Sequence, residues 1–73
     1  MAKKQINKQW TSVDDKLPEK LPGENVSDYV LVTNGHWTDI FRYNFTDNCW
    51  LDYVNHSHWG VTYWMPIPKL YTE

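Results

Sequence analysis

The stretch Tyr29-Val30-Leu31-Val32-Thr33-Asn34-Gly35-His36-Trp37-Thr38-Asp39-Ile40-Phe41-Arg42-Tyr43 decides the fold. Two runs rich in β-branched and aromatic residues flank Asn34-Gly35, the dipeptide best suited to a two-residue type I′ turn, so the stretch reads as a β-hairpin. Such a turn pairs Val32 with Trp37, Val30 with Asp39 and Asp28 with Phe41, and it sets Leu31 opposite Thr38 and Tyr29 opposite Ile40. In that register Asp39 shares a face with Val30, Val32, Trp37, Phe41 and Tyr43. Three explanations stay open for it: the face is bare near Asp39, a bulge shifts the register, or a donor holds the carboxylate.

Downstream, a polar loop from Asn44 to Asn48 leads into Cys49-Trp50-Leu51-Asp52-Tyr53-Val54, a third strand with Trp50, Asp52 and Val54 facing away from Cys49, Leu51 and Tyr53. Asn55-His56-Ser57-His58-Trp59-Gly60 reads as a turn or loop, and Val61-Thr62-Tyr63-Trp64-Met65 as the last strand. Pro66 and Pro68 then stop the ladder, because proline has no amide hydrogen to give it. Upstream, Ser12 is placed to cap one helical turn over Val13-Asp14-Asp15-Lys16 before Leu17-Pro18 forces extended chain. Leu17 to Asn25, with two Leu-Pro pairs and a Pro-Gly step, reads as a surface connection. The expected architecture is mainly β: a small antiparallel β-meander of three to four strands with one short helical turn near the N-terminus. Residues 1–9 are expected to be a flexible N-terminal arm and residues 10–73 a single small aromatic-rich β domain.

A 73-residue chain buries only roughly 60% of its unfolded surface on folding, so few side chains must form the core. Twelve aromatic residues are more than such a core requires, and the excess is expected on the surface. The net charge of −2 gives neither the basic field of a duplex-DNA binder nor the acidity of a nucleic-acid mimic. The single cysteine, Cys49, has no internal disulfide partner, and the polar, lysine-bearing N-terminus has no apolar leader, so a cytoplasmic location is expected. No apolar run approaches the roughly 20 residues of a membrane span. With glycine only at Gly23, Gly35 and Gly60 there is no phosphate-cradling loop, and no cofactor is implied.

Trp10-Thr11-Ser12-Val13, Leu17-Pro18, Tyr29-Val30-Leu31-Val32, Trp50 and Val61-Thr62-Tyr63-Trp64-Met65-Pro66-Ile67-Pro68 together resemble the family catalogued as domain of unknown function 551. The resemblance covers about residues 10–69, and the spaced pair of opening and closing motifs is far more specific than either piece. It implies a bacteriophage or prophage origin, hence a small accessory protein acting inside a bacterial host cell, and it supplies no catalytic residues. Where the family usually has histidine before the closing tryptophan this chain has Tyr63, so a role needing an imidazole there does not carry over.

His56-Ser57-His58 places two imidazoles in one loop, with His36, Cys49, Asp47 and Asp52 near in sequence, yet two ligands do not close a tetrahedral metal site. Cys49 has no visible base to activate it, and Asp14-Asp15 is explained by the turn it opens. A metal-dependent hydrolase built on the histidine loop is therefore the least favoured reading, and a non-enzymatic binding protein is expected. Trp10, Trp50 and Trp64 are assigned to the core. Trp37 beside the hairpin tip and Trp59 in its loop are the expected exposed anchors, and with His56, His58, Asp39 and Tyr43 they form the candidate partner-binding set. The expected partner is a bacterial host protein, with a component of host defence as the target to be inhibited or redirected. The alternative is a nucleotide or single-stranded nucleic acid held between rings, for which Arg42, Tyr63 and Trp59 are the candidates.

Overall fold

A computed structural model describes residues 9–68. Six strands follow in chain order: β1 (Thr11–Ser12), β2 (Val30–Thr33), β3 (Thr38–Asn44), β4 (Cys49–Leu51), β5 (Ser57–His58) and β6 (Tyr63–Pro66). They form one sheet in the spatial order β1-β6-β2-β3-β4-β5, and every neighbouring pair is antiparallel. The four strands expected from the sequence are β2, β3, β4 and β6, and two-residue β1 and β5 extend the edges. β2 to β5 are a meander, but β6 leaves it and pairs on the far side of β2. The expected helical turn is a single hydrogen-bonded turn, in which Ser12 O accepts from the amides of Asp15 (3.0 Å) and Lys16 (3.1 Å) and Ser12 Oγ from that of Asp14 (3.2 Å). Except for Gln9, the expected flexible arm over residues 1–9 lies outside the described residues, as does the chain beyond Pro68.

The central hairpin corrects the expected register by two residues: Val32 pairs with Asp39, Val30 with Phe41 and Thr33 with Thr38, leaving a four-residue loop from Asn34 to Trp37. A type I′ turn needs positive φ at both central residues, and here only Gly35 has it, at 95°. Side chains close the loop instead. Asn34 Oδ1 accepts from the amides of His36 (2.9 Å) and Trp37 (3.3 Å), while Thr33 Oγ1 accepts from Gly35 N (3.0 Å) and donates to Trp37 O (2.6 Å). Because the shift is by two residues, each side chain keeps its expected face.

Beyond β2 the pairing continues through a Val26–Asn44 bridge. Between that bridge and the Val30–Phe41 pair one strand advances four residues and the other three, which is a bulge. Ser27, fully buried, fills it: Tyr43 N donates to Ser27 Oγ (2.9 Å), Ser27 N donates to Tyr43 O (3.0 Å) and Ser27 Oγ donates to Asp28 O (2.7 Å). The Ser27 amide and hydroxyl and the Tyr43 amide and carbonyl thus find their partners inside the protein.

Val30 and Val32 from β2, Phe41 and Tyr43 from β3, Trp50 from β4 and Trp64 from β6 form the core on one face of the sheet. Val61 joins them from the connection between β5 and β6, and its neighbour Thr62 donates from its amide to Thr33 O (2.9 Å), which guides β6 onto the open side of β2. Val13, Leu17 and Phe45 pack against this cluster. Trp64 Nε1 donates to Lys16 O (2.8 Å), tying the N-terminal turn over the core. Pairing ends at Pro66, as the prolines require.

Candidate functional site

β4 stops at Leu51 because Asp52 gathers the next residues into a turn. Its Oδ1 accepts from the amides of Val54 (3.0 Å) and His56 (2.9 Å), its carbonyl accepts from Asn55 N (2.9 Å), and its own amide donates to His56 O (3.1 Å). Asn55 closes the hairpin at a φ of 64°, a left-handed conformation that asparagine tolerates. The strand expected through Val54 is therefore three residues shorter: Tyr53 and Val54 ride exposed on the turn, and Ser57–His58, expected in a loop, pairs back as β5.

The other carboxylate oxygen of Asp52 receives His58 Nε2 at 2.9 Å and lies 3.8 Å from His56 Nδ1. The bond from His58, then the His56 amide and in lesser part the Val54 amide and the His56 ring, outweigh partial desolvation and lower the Asp52 pKa to about 2. The His58 ring in turn stacks on Phe41, with centroids 4.4 Å apart and planes 14° off parallel, and Trp37 tilts against the same Phe41 at 6.1 Å. An indole, a phenyl and an imidazole thus form a ladder from the hairpin loop to β5.

A concavity of about 370 Å³ opens beside this ladder, with Asp39, Ile40 and Phe41 of β3 on one side and Asp52, Tyr53, Val54 and His58 on the other. Asp39 is exposed, and Oδ1 accepts from Ile40 N at 2.8 Å. Of the three explanations for this carboxylate the first holds: β4 ends opposite Arg42, so among the described residues no strand on that side reaches Asp39 and the face is bare there.

The structure divides the candidate residues. Asp39 and His58 line the concavity, Trp37 (39% exposed) meets Phe41, which also lines it, His56 stands out from the turn, and Trp59 (69% exposed) follows β5 directly. Tyr43 does not belong with them: it is buried, edge-on to Trp50 at 5.0 Å and to Phe45 at 4.8 Å, and its phenol pKa is raised above 10.0 by burial and then by Cys49. Its position two residues from Phe41 on the inward face is the signal that it is core. Arg42 points to the opposite face, its guanidinium 5.2 Å from the Tyr29 ring, which meets Tyr53 at 4.5 Å. Tyr63 shares that outer face but stands level with Thr33 and Thr38, four residues along β3 from Arg42, so the ring beside Arg42 is Tyr29 and not Tyr63. Cys49 is buried with Sγ 3.7 Å from Ser57 Oγ, and among the described residues no three His, Cys, Asp or Glu side chains are grouped to hold a metal ion. Also among the described residues, no helix is long and apolar enough to cross a membrane.

Ile40, Asp52 and Val54 are wall residues that the sequence does not mark as binding candidates. Asp52 and Asn55 at turn spacing were the available signal, since one captures amides and the other accepts positive φ.

Residues 9–69 match the model of a family described as Protein of unknown function (DUF551), and the chain belongs to that family. No curated protein and no solved structure matches it.

Proposed function

We propose, from that membership and this surface, that the chain is a small phage-derived accessory protein that acts without catalysis, by binding a bacterial host protein and inhibiting or redirecting it. A component of host defence is the target class that the proposed phage origin favours. The observation that carries the reading is the bare aromatic surface: Trp59 and Trp37 stay 69% and 39% exposed in connecting segments, where large rings serve as anchors for a partner. Affinity capture from bacterial lysate should return one stoichiometric protein. Trp59→Ala and Trp37→Ala should each weaken capture about tenfold or more while the fold persists.

A second reading has its own support. The Arg42 guanidinium stands beside the Tyr29 ring, which meets Tyr53, and among the described residues its Nε has no hydrogen-bond partner; a guanidinium next to a pair of rings suits an anion attached to a flat ring, as in a nucleotide or single-stranded nucleic acid. A nucleotide co-purifying in the native mass spectrum, with no captured protein, would favour it over the first.

A further inference from the structure

The concavity between β3 and the Asp52 turn carries a recognisable demand on what enters it. Two carboxylates, Asp39 and Asp52, line it, and among the described residues no lysine or arginine does. Asp52 spends its oxygens on the His58 ring and the two turn amides, but among the described residues Asp39 has only Oδ1 engaged, by Ile40 N. Ile40, Phe41 and Val54 supply hydrocarbon wall, and the exposed Tyr53 ring supplies a π face. Acidic groups over an apolar lining suit a cation on an aliphatic stem, and they disfavour a phosphate or a carboxylate. A volume of about 370 Å³ sits at the low end for small-molecule sites and has room for one long side chain, so the charge of the lining and not the size selects the occupant.

We infer that this concavity receives one basic side chain, arginine or lysine, presented by the protein partner. The stem lies along Ile40, Phe41 and Val54, and the charged head meets Asp39. The inference rests on the partner-binding reading and adds the chemistry of the partner's contact residue.

The test is a titration of the isotopically labelled full chain, followed by NMR, with three short capped peptides: Gly-Arg-Gly, Gly-Lys-Gly and the uncharged Gly-citrulline-Gly. Saturable shifts confined to the lining residues, Asp39, Ile40, Phe41, Tyr53, Val54 and His58 among them, are expected with the arginine or lysine peptide and not with citrulline. Asp39→Asn, which keeps an acceptor for the Ile40 amide, should weaken that binding about tenfold or more. Equal shifts with citrulline, shifts elsewhere or none, or undiminished binding by Asp39→Asn would overturn the assignment. So would the same shifts on raising the protein's own concentration without peptide, which would make the occupant a second copy. The two proposals fail separately: a partner still captured by Asp39→Asn as well as by the native chain sinks this site alone, whereas peptide binding without any captured partner sinks the function and leaves the site.

Discussion

The two halves of β3 obey one alternation and meet different fates. Phe41 and Tyr43 in the second half are buried, while Asp39, two residues earlier on the same face, is exposed. The difference is what lies alongside. Opposite Tyr43 stand Trp50 and the Ser27 bulge, whereas on the β4 side nothing is paired with Asp39, because Asp52 has already turned the chain away. Alternation assigns a side chain to a face, and only the length of the neighbouring strands determines whether that face is covered. The covered half supplies stability, and the uncovered half supplies the concavity.

That contrast breaks most visibly at Phe41, which belongs to the core and also carries the His58 and Trp37 rings. Phe41→Ala should cost about 3–5 kcal/mol, much of the stability of a domain this small, and chemical denaturation should show a largely unfolded chain. If the variant unfolds at the native midpoint, the ladder is not anchored in the core. Ser27→Ala tests the covered half with a smaller change. It leaves Tyr43 N without its acceptor at the bulge and should cost about 1–3 kcal/mol, read as a lower denaturation midpoint at unchanged slope. An unchanged midpoint would mean that Ser27 Oγ does not hold the bulge.

The smallest effect belongs to the uncovered half and is read by pH. The Asp52 carboxyl has a folded pKa of about 2 against an ordinary value of 3.8, so the folded state favours its charged form. The stability this contributes is present above about pH 4 and is lost as pH falls towards 2, because the unfolded chain takes up its proton first. A carbon-detected titration of the Asp52 carboxyl should show a midpoint near 2. A midpoint near 3.8 would show that the His58 bond and the turn amides do not hold it.

Much of this was legible in the sequence. β-branched and aromatic runs announced the strands, Ser12 its turn, and the prolines the end of β6. The faces of β3 were right even though the loop was not, since a two-residue shift preserves alternation. Asn34-Gly35 misled because dipeptide preference assumes backbone closure, and here the side chains of Thr33 and Asn34 capture the amides of a longer loop. Of the candidate site, Trp37, Asp39 and His58 were found, but the opposing wall was not, because Tyr53 and Val54 carry strand-like side chains and are taken out of the strand by a single carboxylate.

By itself the sequence determined the mainly β class, the main strands, their faces, the stop at the prolines and the surplus of rings, because each follows from local backbone preference and side-chain period. Tertiary structure alone decided that β6 crosses to β2, that Ser27 lies buried in a bulge while Asp39 stays bare, and that Trp37 and His58 both meet Phe41 beside a concavity lined by two carboxylates. Those outcomes depend on which distant segments reach one another and how far each strand runs. Neither is written in the preferences of neighbouring residues.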